Sequence, residues 1–421
     1  AVRVSAPEEL VLYLVNRDSA TSDAAMALPM DALGTSYVVT TFRGSSAHSG
    51  DRSEFLVVAP FDGTTVTITP AATMRMPAPT PNAPPNVPFQ ISLDRGQGFR
   101  GEALISTGDL TGTLIESDRP VAVLNGNICT NVPTNKAACD HIFETAHPVH
   151  TWGTSALVTN LPFRPKGSIY RIVAAEDGTE VRLDGALQTI LDRGQFLETP
   201  SLPGSHLLTG SHPIFVTQLM TGSAEDQPFP GFSIGDPAMA NMIPPDQYLT
   251  EHTFSTVGGN QFDFHFLSVI APDSSLGSVL LDGEPIVSDQ FSPIGTTGFS
   301  AAVVEIDEGS HTISSPEPHG ITVEGCVQAF LEPIWRHSYP NDPHWNNYFR
   351  MIALVNNTPE WGGAGLMCAL ILRRGGAAAS SPAGAGSAPR CVISALGVAC
   401  GAGRRARCPA RRTRCCAAGR H

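Results

Sequence analysis

Cys129 and Cys139 close a polar loop that carries Asn131, Pro133, Asn135 and Lys136. In an oxidising compartment the pair would staple that loop and contribute about 2 to 3 kcal/mol by restricting the unfolded chain. Two free, buried thiols are the other reading. With His141, His147 and His150 close by in the chain, the same sulfurs could hold zinc, but the body offers no second close cysteine pair to complete a structural site. Gly231-Phe-Ser233-Ile-Gly235 has the spacing of a serine-hydrolase elbow, in which a strand enters and a helix leaves the nucleophile's turn. Pro228, Pro230 and Pro237 break both elements, so Ser233 is not expected to attack anything. Gly96-Gln-Gly98-Phe-Arg-Gly101 fits a phosphate-cradling pattern, yet no helix is readable after it and it reads as a turn. Asp62, Asp177 and Asp273 could offer oxygens to calcium if several converged, although Asp in an Asp-Gly turn is already explained by the turn. The residues therefore predict no catalytic group, no cofactor and no metal site, with calcium the one ion kept in view.

The elements that carry these residues recur. Phe55-Leu-Val-Val-Ala-Pro-Phe-Asp62-Gly63-Thr-Thr-Val-Thr-Ile-Thr69 returns as Tyr170-Arg-Ile-Val-Ala-Ala-Glu-Asp177-Gly178-Thr-Glu-Val-Arg-Leu-Asp184. A looser third copy runs from Phe266-Leu-Ser-Val-Ile-Ala-Pro-Asp273 to Gly277-Ser-Val-Leu-Leu-Asp282. Two apolar runs around an Asp-Gly turn are a hairpin signal, because glycine tolerates the positive φ of tight turns. Leu93-Asp-Arg-Gly-Gln97 recurs as Leu191-Asp-Arg-Gly-Gln195, with Ile306-Asp-Glu-Gly309 as a third echo. A polar stretch with proline then leads into an apolar strand at Pro120, Pro213 and Pro318, and proline suits a strand's first position. The period of about a hundred residues predicts an all-β fold of tandem antiparallel, sandwich-like units; a propeller, whose blades repeat at ~40 to 50 residues, is the runner-up. Val4 to Tyr13 matches the third block alone, so the sequence reads as starting inside a repeat.

The expected divisions are 1–50, the end of a first repeat with its connector; 51–165, a repeat with a proline-rich insertion at 71–90; 166–260 and 261–335, two further repeats; 336–372, an irregular segment; and 373–421, a low-complexity tail. That tail holds ten arginines, no acid and five of the nine cysteines, and reads as disordered. The body is therefore more acidic than the formal charge of −13 implies, with 16 cations against 39 acids. A surface of that sign disfavours nucleic acid as a partner. No apolar run approaches the ~18 to 20 residues of a membrane span, and Ala1 to Ser5 does not open a signal peptide. Asn356-Asn-Thr358 fits the N-glycosylation pattern.

The blocks around Gly34-Thr35, Val57 to Ile68, Pro120-Val-Ala-Val, Asn127 to Pro133 with Ala138-Cys139-Asp140-His141, and Gly235-Asp-Pro-Ala-Met239 resemble the amino-terminal domain of the IgG Fc-binding protein family over approximately residues 3–330. The resemblance implies a secreted or cell-envelope, non-enzymatic β domain with binding or adhesive character, and a disulfide between Cys129 and Cys139. It offers no site residues to carry over. Cys326 stands where an ordinary strand residue is expected, and its pairing with Cys368 is left open. The leading expectation is an extracellular module that recognises a protein or glycan through loops. A structural spacer of an envelope or matrix comes second, and a carbohydrate-active or serine hydrolase third.

Overall fold

The computed structural model describes residues 10–18, 21–45, 50–136, 139–226, 232–234, 236–256, 262, 264–326, 328–330, 351–355 and 366–372. The tail at 373–421 and the sequon at Asn356 lie outside them, as do the side chains of Cys326 and Cys368. The architecture is all-β. Two opening strands, β1 (Leu10–Asp18) and β2 (Thr21–Ala27), pair antiparallel. The first unit follows with β3 (Gly34–Val38), β4 (Ser53–Val58), β5 (Thr64–Thr69), β6 (Phe89–Leu93), β7 (Gly98–Glu102), β8 (Leu114–Thr130) and β9 (Asp140–Thr145). The second comprises β10 (Gly153–Val158), β11 (Ile169–Ala174), β12 (Thr179–Leu183), β13 (Ala186–Leu191), β14 (Phe196–Glu198) and β15 (His206–Leu219). After a four-residue helix, α1 (Ser223–Asp226), come β16 (Phe232–Ile234) and β17 (Met239–Met242). The third is built from β18 (Leu249–Ser255), β19 (Phe264–Pro272), β20 (Leu280–Leu281), β21 (Glu284–Pro285), β22 (Ser292–Pro293), β23 (Phe299–Ile306) and β24 (Ser310–Cys326). The remaining strands are β25 (Gln328–Phe330), β26 (Met351–Val355) and β27 (Leu366–Leu372), which pair with β16, β24 and β1.

One pairing scheme serves all three units. In the first, β5 pairs with β6 and β8, β4 with β7 and β8, and β3 and β9 with β8. The same relations join β12, β13, β15, β11, β14, β10 and β17 in the second, and β20, β21, β24, β19, β23, β18 and β26 in the third. The long strand is the hinge of each. Leu114–Ser117 of β8 pairs with β3 and β5, whereas its later half pairs with β4 and β9. Pro120 lies between the halves, and Pro213 and Pro318 lie at the matching points of β15 and β24. Proline was expected to open a strand; instead it bends one from sheet to sheet, where a missing N–H costs no ladder bond.

The layers close on alternating side chains. Phe55, Val57 and Ala59 meet Val66, Ile68, Ile115, Val121 and Val123 in the first core. Tyr170, Ile172 and Ala174 do the same in the second, and Leu267, Val269 and Ala271 in the third. The sequence repeat places Phe266 opposite Phe55, one residue early, since Leu267 takes that position in the register. The third copy replaces the Asp-Gly hairpin by a 3₁₀ turn over Asp273–Ser278, and a one-residue offset exchanges the two faces of a strand.

The last strands adjoin in a closed circuit: β2 lies against β9, β9 against β17, β17 against β26 and β26 against β2. Buried carboxylates fasten it. Asp23 Oδ2 accepts the Phe143 N–H at 3.0 Å, and Asp23 and Glu144 also accept the backbone N–H groups of Met239 and Asn241 on β17. Burial raises the pKa of both acids well above the usual carboxylate range, and Asp23 adds to the rise at Glu144.

Candidate binding surface

The repeated turns hold each other. Asp62 Oδ1 accepts the Arg95 N–H at 3.0 Å while Asp94 Oδ1 accepts the Gly63 N–H at 3.1 Å, and Gln97 Oε1 accepts the Asp94 N–H at 2.8 Å. The second unit reproduces this clasp with Asp177 on Arg193, Asp192 on Gly178 and Gln195 on Asp192. Gly63 and Gly178 have φ of 60° and 71°, which explains why glycine follows each Asp. The acids once considered for calcium are thus engaged by backbone donors, and Asp273 accepts the Ser300 hydroxyl instead. Gly96 sits in the same clasp, and β7 rather than a helix follows it. A further repeated contact joins His206 to Asp184 and His311 to Asp282, each at 2.7 Å, across the hairpin that precedes the long strand.

Cys129 and Cys139 form a disulfide, with Cα atoms 5.2 Å apart. Among the described residues the one group able to ligate a metal is Asp51 with these two cysteines, whose sulfurs are bonded to each other. Two of the three candidate zinc histidines go elsewhere. His141 meets Asn16 at 2.6 Å, and His147 packs on Phe215 with its pKa pushed down to about 4 by burial. Ser233 lies in a strand of an antiparallel pair, not at a strand-to-helix elbow, and Gly231 and Gly235 lie outside the described residues.

The disulfide loop and the 71–90 insertion are both anchored to the units. Val132 of the disulfide loop is buried with Ile169, Leu219 and Met239 of the second unit, its carbonyl accepts the Gly222 N–H at 2.7 Å, and Lys136 pairs with Glu225 at 3.0 Å. In the 71–90 insertion Met74 is fully buried in the first core and bridges to Ala83 and Ala103, while Pro77 to Asn82 and Pro84 to Pro88 are exposed on either side of Ala83. The sequence hid this because composition reports a segment's average, not its one anchoring side chain.

Sequence reasoning also missed the seam between the first and second units. Arg171, on the outer face of β11, is completely buried. Its guanidinium donates to Asp109 at 2.7 and 3.0 Å, to Glu198 at 2.6 and 3.1 Å, to the Thr41 carbonyl at 2.5 Å and to Thr111 Oγ1 at 2.6 Å. The rings of Phe42 and Phe196 cover its faces at 4.4 and 4.7 Å. Arg43 adds a two-pronged bond to Glu198 at 2.7 and 2.9 Å. Partial burial pushes the Glu198 carboxyl upward, but the two arginines hold it below its ordinary value. Val38, Trp152, Val173 and Phe215 complete the seam with apolar contacts.

A scan of family models matches residues 23–325 to the family described as IgGFc binding protein. The chain belongs to that family. It is 28% identical over 176 residues to the human IgGFc-binding protein, an overlap of 42% of this chain and 3% of that relative. No solved structure matches the chain. The largest exposed apolar side chains include Phe61 in the Asp-Gly turn, Val87 in the insertion, Ile105, Val287, and Leu187 with Ile190 on the edge strand β13. Leu56 is 37% exposed, although it occupies the position in β4 that Arg171 fills in β11. No helix among the described residues is long and apolar enough to cross a membrane.

Proposed function

We propose that the protein is a non-enzymatic extracellular binding module, in which tandem β units present turns and edge strands to a protein partner. The observation that carries the reading is a first seam closed by a buried guanidinium whose donors all find acceptors, while most of the large exposed apolar groups lie on turns and edges, where rigid scaffolds place recognition residues. Family membership supports a protein partner, and the name of the human relative makes the Fc portion of IgG the first partner to try. Adhesion and secretion accord with the Cys129–Cys139 bond, since such bonds persist in oxidising compartments. A glycan partner rests on the loop architecture alone. The spacer reading draws on the same stiff seam, but leaves the exposed Phe61, Val87 and Ile105 without a role.

Immobilised Fc and Fab fragments offered to the full chain test this. Saturable binding to Fc and not to Fab is expected, with weakening when Pro77 to Asn82 is replaced by Gly and Ser while Met74 is kept. Binding to neither fragment rejects Fc as the partner. Saturable ester, peptide or glycoside hydrolysis that vanishes with substitution of Ser233 or one carboxylate rejects the non-enzymatic reading.

A further inference from the structure

The second and third units meet in a seam that repeats the first, with one replacement. Pairing register aligns Ser268 on β19 with Arg171 on β11, since Ser268 lies opposite Thr322 and Arg171 opposite Thr217, each four residues beyond the bend proline. The preceding unit contributes Thr159 and Leu161, which stand eight residues or fewer past Gly153 as Thr40 and Phe42 do past Gly34. Where the first seam holds a guanidinium against Phe42, the second holds a cavity of about 30 Å³ lined by Leu161, Thr159, Ser268, Thr322, Gln218 and Glu324. That is room for roughly one or two water-sized species.

Glu324 makes this cavity chemically distinctive. It is 1% exposed; Oε1 accepts the Ser268 hydroxyl at 2.9 Å, and Oε2 has no hydrogen-bond partner among the described residues. A buried carboxylate left half-satisfied costs several times an ordinary hydrogen bond unless a proton or a positive charge meets it. Gln218 uses its amide nitrogen on Thr159, Ser168 and Tyr170, which leaves its carbonyl as an acceptor. About half of the lining is apolar; its polar half offers oxygen acceptors around Glu324 and, among the described residues, no cation, the reverse of the first seam.

We propose that this cavity is a binding site for a monovalent cation of about sodium size, held by Glu324 and the neighbouring side-chain oxygens, and that the ion does for the second seam what the Arg171 guanidinium does for the first. One carboxylate with neutral oxygens suits a singly charged ion, whereas Ca²⁺ sites draw on several carboxylates among six to eight oxygens. The cavity's size excludes quaternary ammonium ions.

The full chain is melted at pH 8 in sodium chloride and in choline chloride of equal ionic strength. Sodium is expected to raise Tm by about 1 to 2 °C over choline, the shift that roughly a tenfold excess of ion over its Kd produces in a chain of 421 residues. Glu324→Gln, which keeps the shape and the Ser268 contact, should abolish the difference. Ser268→Lys, which brings an ammonium into the cavity, should abolish it too. Equal Tm in both salts overturns the proposal and leaves a protonated Glu324 with water. A sodium response that survives Glu324→Gln overturns it equally, by placing the ion elsewhere.

Discussion

The two seams join equivalent surfaces with opposite chemistry. In the first, Arg171 brings a positive charge into a place where Asp109 and Glu198 already wait, and every donor finds an acceptor. In the second, Ser268 is too short to reach anything but Glu324, and Tyr248 fills part of the space by lying over Gly320, where a Cβ would come within 2.5 Å of its ring. The lesson is that strand topology fixes where units touch but leaves the means of joining free. A seam can be closed by an ion-pair cluster or by aromatic packing around an acceptor-lined cavity, on the same scaffold.

The comparison breaks most sharply if the first seam is made to resemble the second. Arg171→Ser should destabilise the chain by about 3 to 5 kcal/mol, because Asp109, Glu198 and Arg43 keep their places without the charge that balances them. Chemical denaturation gives the value. Adding Asp109→Asn and Glu198→Gln should recover part of the loss; if the triple variant is no better than the single, the cluster is not electrostatic in origin.

Next in size is the disulfide, whose loop braces the first seam. Cys129→Ser with Cys139→Ser should cost about 2 to 3 kcal/mol, the entropy of closing a short loop, and should loosen the Val132 contact with Ile169 and Leu219. Hydrogen exchange at Gly222, whose N–H bonds to Val132, reports that loosening directly.

A smaller effect concerns the circuit of last strands. Asp23 and Glu144 have folded-state pKa values raised above those of the unfolded chain, so the folded protein holds protons that the unfolded chain releases. Their contribution is complete below the ordinary carboxylate range and is lost as pH rises from there toward the raised values. Glu144→Gln should flatten the fall of Tm above about pH 5 without lowering Tm at pH 4. A slope unchanged in the variant assigns the pH dependence to other groups.

How far the sequence discloses these features depends on how local their causes are. The Asp-Gly and Leu-Asp-Arg-Gly-Gln turns are readable because a tight turn constrains residue type within four positions, and their mutual clasp then follows from the pairing of β5 with β6. The period-two alternation of Thr65 to Thr69 is likewise visible, since one face of β5 is buried. Arg171 is not. Its partners come from residues 41, 109, 111 and 198, and arginine in a strand ordinarily signals a solvated face. The bend at Pro120 reads in the sequence as a strand's start because proline is equally at home where a strand begins and where it changes partners.

The smallest expected effect sharpens the contrast between the covered and open versions of the same position. Leu56 takes the Arg171 position in the first unit, and its cross-strand neighbours are Arg100 on β7 and Leu124 on β8. Nothing among the described residues is packed over it as Phe42 and Asp109 are over Arg171, and it remains 37% exposed. Leu56→Ser leaves no charge stranded and removes a side chain only partly covered, so it should cost about 1 kcal/mol. Because Arg100 pairs with Glu54, the substitution also leaves the adjacent ion pair intact. A loss approaching that of Arg171→Ser would mean that this face is covered in the folded protein in solution, and would move the first unit from the open to the sealed side of the comparison.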